Sequence, residues 1–149
     1  METSQDSTVA LARRYIERIT GAGEMSLADT LLDENMVYYT GLAPSGLIRG
    51  RETIKQALQG LHTAFDDLNL IIEDAFAADD SERAVIRFRA TGTYHAAFLG
   101  VPANGKKITM IETHVIRVRA GKVVEDYASD NNYDFALLFA PALRYTNKQ

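Results

Sequence analysis

The chain has no cysteine and no tryptophan, and only three histidines and three prolines among its 149 residues. Without cysteine there is no disulfide framework, no thiolate nucleophile and no thiolate metal site. His62, His95 and His114 lie far apart and form no His-x-x-x-His pattern, which argues against a histidine-rich metal centre. No apolar run approaches the roughly 20 residues that a membrane-spanning helix needs. The first residues, Met-Glu-Thr-Ser-Gln-Asp, are acidic and polar, the opposite of a secretory signal. A short disordered tail over 1–6, in a cytoplasmic protein, is therefore expected. Basic charge is also scarce: 16 Lys and Arg against 20 Asp and Glu leave a net charge of −4, which argues against nucleic acid as a partner. The glycines of Gly41–Gly50 lack phosphate-loop spacing and no Lys-Ser/Thr follows them. A Gly-x-Ser-x-Gly nucleophile turn is missing too.

What remains is an ordinary globular composition, 46% hydrophobic and 24% charged, in a length that suits one domain with a core and a small cavity. Ala12, Tyr15, Ile16 and Ile19 recur at helical spacing after a Ser7 or Thr8 cap. A short second helix is expected from Ser26, with Asp29 as capping-box partner and Leu27, Leu31 and Leu32 buried. Asn35–Thr40 reads as a strand, and the Gly/Pro-containing stretch Gly41–Gly50 as a loop long enough to border a cavity. Ile54, Ala57, Leu58, Leu61 and Phe65 give a third helix over 51–65, with His62 as a structural histidine at its edge.

Strands follow over Leu68–Phe76, Glu82–Thr93, about 108–119 and Lys122–Asp130, the last two joined by a tight turn at Ala120-Gly121. A final helix is expected over Tyr133–Ala140, stopping at Pro141. Helices first and an antiparallel meander afterwards predict an α+β fold. In it a cone-shaped, curved antiparallel sheet carries the three N-terminal helices on its concave face. One domain over 7–141 and a C-terminal tail over 142–149 complete this expectation.

The strand Ile108–Arg119 holds the most informative pattern. Side chains alternate between faces, so Ile108, Met110, Glu112, His114, Ile116 and Val118 share one side. That side is apolar and should face inward, yet Glu112 and His114 sit in its middle. Burying either without a partner costs several kcal/mol, or shifts its pKa until it is neutral. The bland explanation is a satisfied core pair; the sharp one is a proton-transfer site in a dry pocket. Aromatic side chains near the expected cavity mouth (Tyr38, Tyr39, Tyr94, Phe98, Tyr133) suit an apolar or aromatic ligand.

The residues Arg87…Gly92-Thr93-Tyr94…Phe98-Leu99-Gly100-Val101-Pro102…Gly105-Lys106, with Arg117 and Gly121-Lys122-Val123-Val124-Glu125, resemble the SnoaL-like polyketide cyclases. These belong to the nuclear-transport-factor-like superfamily of cone-shaped α+β domains. The resemblance implies a cofactor-free enzyme that closes a ring by intramolecular aldol condensation. It also implies ionisable groups on inward faces of the last long strands, His114 among them. Three departures stand out. Glu125-Asp126-Tyr127-Ala128 replaces the family's Glu-His-Trp-Asp, so the usual carboxylate is Ala128; Asp126 and Asp130, of the same strand parity, flank it and could substitute. Tyr94 replaces the histidine of Gly-Thr-His, and Arg87-Phe88-Arg89 replaces the Arg-x-Asp of limonene-epoxide-hydrolase relatives.

The expected catalytic set is therefore His114 as acid/base near its ordinary pKa, assisted by Glu112, with Asp130 or Asp126 as second carboxylate. Tyr38 or Tyr94 would donate a hydrogen bond to a developing oxyanion, and Phe88, Tyr15, Phe65 and Met110 would line the substrate pocket. The expected ligand is a hydrophobic polyketide-like or terpenoid molecule, with no cofactor and no metal. Two rival readings are epoxide opening by a carboxylate-activated nucleophile, and a non-catalytic small-molecule-binding domain. A homodimer or higher homo-oligomer is expected, because Val85, Ile111 and Val115 lie on the outer sheet face.

Overall fold

The computed structural model describes residues 3–43, 45–130 and 132–143, with side chains in the last helix described through 139. Helix α1 (Ser4–Arg14) starts inside the segment expected as a tail, because Thr3 caps it. The Thr3 hydroxyl accepts from the Asp6 amide and the Asp6 carboxylate accepts from the Thr3 amide. Thr8, one of the two expected caps, is buried instead and donates to the Ser81 carbonyl at 2.6 Å. The helix then widens into a π-helical segment over Tyr15–Gly21, which buries Tyr15, Ile16, Ile19 and Thr20.

The second helix is shorter than expected. A 3₁₀ turn (Met25–Leu27) leads into a single turn, α2 (Ala28–Leu31), and no side chain caps either. Leu32 already belongs to strand β1 (Leu32–Tyr39), where it is fully buried opposite Val123. That tertiary pairing overrides the local helical signal. The stretch Gly41–Gly50 is only partly a loop: its end forms strand β2 (Leu47–Arg49), antiparallel to β1. Helix α3 (Arg51–Ala64) matches its apolar stripe.

Strands β3 (Asn69–Ala77), β4 (Arg83–Thr93), β5 (Lys107–Arg119) and β6 (Lys122–Asp130) form the expected meander. Ala120 and Gly121, with φ of 49° and 72°, make the tight turn between β5 and β6. Helix α4 runs from Tyr133 through Pro141 to Leu143, past its expected stop; residues 144–149 of the expected tail lie outside the described residues.

The six strands make one curved sheet in the order β2-β1-β6-β5-β4-β3. All neighbours are antiparallel except β1 and β6, which are parallel. A hairpin turn would force antiparallel pairing, but these strands are distant in sequence and their direction is set by packing alone. The parallel register sets Tyr38 beside Asp126 and Tyr39 beside Tyr127. The core lies between the helices and the inner face, built by residues such as Ile16, Leu32, Met36, Ile54, Ile86 and Phe88. Ile71, Phe76 and Tyr127 are exposed on the other face. Among the described residues no helix is long and apolar enough to cross a membrane.

Candidate active site

The inward parity of β5 is borne out: Ile108, Met110, His114 and Ile116 are buried, and Glu112 and Val118 half-buried. Register then decides what surrounds them. His114 pairs with Ala128 on β6 and Ile86 on β4, while Glu112 pairs with Asp130 and Phe88. The Ala128 methyl leaves room beside the imidazole, and Asp126, one inward position further along β6, fills it.

A buried chain of polar groups results. The Tyr15 hydroxyl donates to Asp126 Oδ2 at 2.7 Å. His114 Nδ1 lies 2.8 and 2.9 Å from the two Asp126 oxygens, and its Nε2 lies 3.0 Å from Glu112 Oε2. Burial by itself lowers the imidazole pKa and is the largest influence. The Asp126 charge and hydrogen bond, followed by those of Glu112, more than reverse it and raise His114 to about 10. At neutral pH the ring is thus an imidazolium that donates to a carboxylate on each side.

Two features differ from the expected arrangement: the His114 pKa is raised well above its ordinary value, and the imidazole does not line the hollow. The His114 and Asp126 side chains are 1% and 0% exposed, whereas Glu112 retains 20%. Only Glu112 of these three reaches the hollow above the sheet.

That hollow is narrow, about 40 Å³, and is walled by Thr20, Tyr38, Phe88, Met110, Glu112 and Phe135 together with leucines from α3, from β3 and from the loops at Leu42 and Leu68. The Tyr38 ring lies 6.3 Å from the imidazole and stacks toward it, and Phe88 lies 5.1 Å away, tilted. Burial first, then the Glu112 and Asp126 charges, hold the Tyr38 phenol well above its usual pKa, so it stays a donor. Tyr38, Phe88 and Met110 therefore line the hollow as expected.

The other expected residues do not meet there. Tyr15 stands behind Asp126, away from the hollow. The Tyr94 hydroxyl donates to the Val101 carbonyl and accepts from the Phe98 amide at 2.9 Å, clamping the 98–101 turn instead of facing Glu112. Phe65 packs on Gly92, where an added Cβ would come within 3.1 Å of the Phe65 Cβ, and against Tyr94 with centroids 5.3 Å apart. Asp130 is exposed; partial shielding and then the Glu112 charge raise its carboxyl pKa, but the second carboxylate on His114 is Asp126. Tyr39 stacks on Tyr127 at 3.9 Å on the opposite face of the sheet, and Tyr133 is 75% exposed. His62 Nε2 bonds the Thr20 carbonyl oxygen at 2.8 Å, the structural role expected of it. Among the described residues no cluster of His, Asp and Glu is arranged to hold a metal ion.

Sequence reasoning missed Thr20 as a wall of the hollow. A signal existed: it follows the buried Ile16 by four residues, on the inward side of the first helix. The π-helical segment supplies both Tyr15 and Thr20, in keeping with the frequent occurrence of such segments at functional sites.

Two measurements probe this chain of groups directly. The His114 pKa is raised on folding, from 6.5 to about 10, so its stabilisation is complete below pH 6.5 and fades as pH climbs toward 10. Urea unfolding is expected to show stability falling between pH 7 and 10 by up to about 1.4 kcal/mol per pH unit, with His114→Gln flattening the slope. Tyr15→Phe is expected to cost about 1–3 kcal/mol by stripping a donor from a buried carboxylate; a change below about 0.5 kcal/mol would mean that Asp126 does not depend on that hydroxyl.

The sequence profile of the SnoaL-like polyketide cyclase family matches residues 10–136. The chain belongs to this family. Solved structures agree with this SnoaL-like fold at low identity. A protein designated a SnoaL-like polyketide cyclase from Jannaschia sp. CCS1 is 17% identical with a TM-score of 0.79, covering 97% of this chain and 98% of its own. A protein designated a polyketide cyclase from Bacillus cereus ATCC 10987 is 24% identical with a TM-score of 0.70, covering 91% and 81%. AclR from Streptomyces galilaeus, designated a hydroxylase, is 20% identical with a TM-score of 0.71, covering 89% and 94%. No protein of curated function matches the chain.

Proposed function

We propose that this SnoaL-like protein is a cofactor-independent cyclase or isomerase that moves a proton at carbon, with Glu112 as the acid/base. The observation that carries the reading is that a carboxylate tied to a buried imidazole opens onto an apolar hollow. In the reaction, Glu112 takes a proton from the carbon next to a carbonyl. The C–H electron pair becomes an enolate, whose oxygen accepts a hydrogen bond from the Tyr38 hydroxyl. The enolate carbon attacks a second carbonyl of the same molecule, forming a C–C bond and an alkoxide, and Glu112 returns its proton to that oxygen. Nothing is oxidised or lost, so the product is an isomer of the substrate.

His114 acts through Glu112 as a positioning residue. Its Nε2 holds the Glu112 carboxylate in place beside the apolar walls, and Asp126 with Tyr15 fixes the ring. The epoxide-opening alternative calls for two carboxylates sharing one water; Asp126 and Glu112 instead grip the two nitrogens of one imidazole. A direct test is hydrogen–deuterium exchange at the acidic carbon of 2-tetralone in D2O, followed by NMR. The protein is expected to accelerate exchange above buffer, and exchange at the buffer rate would count against proton transfer from ketones.

A further inference from the structure

A second hollow adjoins the first. It measures about 110 Å³ and shares Tyr38, Leu42, Leu58 and Leu61 with the inner one. Its remaining walls are Ile48 and Ala57 on one side and Phe98 and Leu99 on the other, with Thr40 beside Tyr38. Among the described residues no charged side chain lines it. At roughly 10–15 Å³ for each water-sized group, the inner hollow takes about three such groups and the outer one about eight. The inner size suits a carbonyl and its neighbouring carbon; the outer size suits a ring or a short chain.

Two features mark these hollows as shaped for a ligand. Thr20, a residue of the inner wall, carries a buried Oγ1 that makes no hydrogen bond of good geometry among the described residues, the Tyr15 hydroxyl being the neighbour that comes near it, whereas buried hydroxyls nearly always have a well-formed partner. Leu99 occupies the left-handed region with φ of 52°, where a side chain with a Cβ is strained, and Gly100 follows at 75°. The Tyr94 clamp holds this turn against Phe98 and Val101, so the strain is sustained by the surrounding structure. Backbone strain of this kind concentrates at ligand clamps. Here its effect is to hold an apolar, 41% exposed side chain at the rim of the outer hollow, where glycine would relieve the strain but supply no wall.

We infer that the two hollows form one bipartite site, in which Thr20 and Glu112 receive the oxygen-bearing head of a substrate and the Ala57–Phe98–Leu99 chamber receives an uncharged hydrocarbon arm. The inference rests on the proton-transfer reading for the head, but the chamber is tested by binding alone. The site selects against charged or polyhydroxylated substrates, since the arm would be desolvated against leucine, isoleucine and phenylalanine with no partner for a charge.

The experiment uses 2-naphthol, whose hydroxyl imitates an enol and whose rings supply the arm, with its own fluorescence and protein methyl NMR as readouts. Saturable binding is expected, with shifts at the Leu42, Leu58, Leu61 and Leu99 methyls. Leu99→Gly should weaken binding severalfold while leaving Tm unchanged or higher, because it removes the wall and the strain together. Ala57→Phe, which fills the chamber, should weaken binding at least tenfold, and Thr20→Val severalfold through loss of the hydroxyl. Wild-type affinity in both Leu99→Gly and Ala57→Phe, or shifts confined to the outer sheet face, would overturn the bipartite site. If 2-tetralone exchange fails while 2-naphthol binds as described, the chamber stands and the proton-transfer chemistry falls.

Discussion

Glu112→Gln is expected to lower 2-tetralone exchange by 10²–10⁴-fold, the usual worth of a positioned general base. The substitution nearly preserves shape: a glutamine oxygen can still accept from His114 Nε2, so the ring keeps a partner and the hollow its wall. What disappears is the one carboxylate that both touches the imidazole and opens onto the hollow. Because Glu112 helps raise the His114 pKa, the same variant should titrate its imidazole at lower pH by ¹⁵N NMR. A folded variant with wild-type exchange would remove Glu112 from the chemistry, and an unmoved His114 titration would sever the coupling between the two groups.

Asp126→Asn is expected to destabilise the protein by about 3–5 kcal/mol, the range for stripping one partner from a buried ion pair. Asp126 is fully buried, contacts Nδ1 with both oxygens and accepts from Tyr15. It is also the leading influence raising the His114 pKa. Asparagine keeps an acceptor but removes the charge, leaving the imidazole to lose its proton near neutrality. Urea unfolding at pH 7 and pH 9 reads both consequences: a large loss at pH 7, and a much smaller difference between the two pH values than in wild type. A loss below about 1 kcal/mol at pH 7 would show that the imidazole is not held charged by Asp126.

The pairing of His114 with Glu112 was legible because strand periodicity survives from sequence to structure. Alternation across β5 marks both as inward whatever the strand's neighbours are. The identity of the second carboxylate was not legible. Asp126 and Asp130 have the same parity, and only the β5–β6 register separates them, by setting Ala128 opposite His114 and Asp130 opposite Glu112. Tyr15 and Tyr38 are similar cases. Each was marked as a pocket residue, yet Tyr38 reaches the hollow through a parallel pairing with β6 that no hairpin turn announces, and Tyr15 ends behind Asp126 because the π-helical segment turns it there. The sequence points to Tyr94 as an oxyanion donor and to Phe65 as a pocket wall, but hydroxyls and aromatic rings serve packed cores as well as ligand sites; here Tyr94 clamps the 98–101 turn and Phe65 packs against it.

By itself the sequence determined the α+β plan, the meander of four long strands, the stripe of the third helix and an acid beside an imidazole on an inward face. These follow from local rules: periods of 2 and 3.6 residues, turn chemistry and the cost of burying charge. Tertiary structure alone decided which carboxylate completes the chain of groups, which member of that chain opens onto the inner hollow, and that two small hollows share walls at Tyr38 and three leucines. Those depend on register, strand direction and residual exposure, which arise between segments distant in sequence and have no local code.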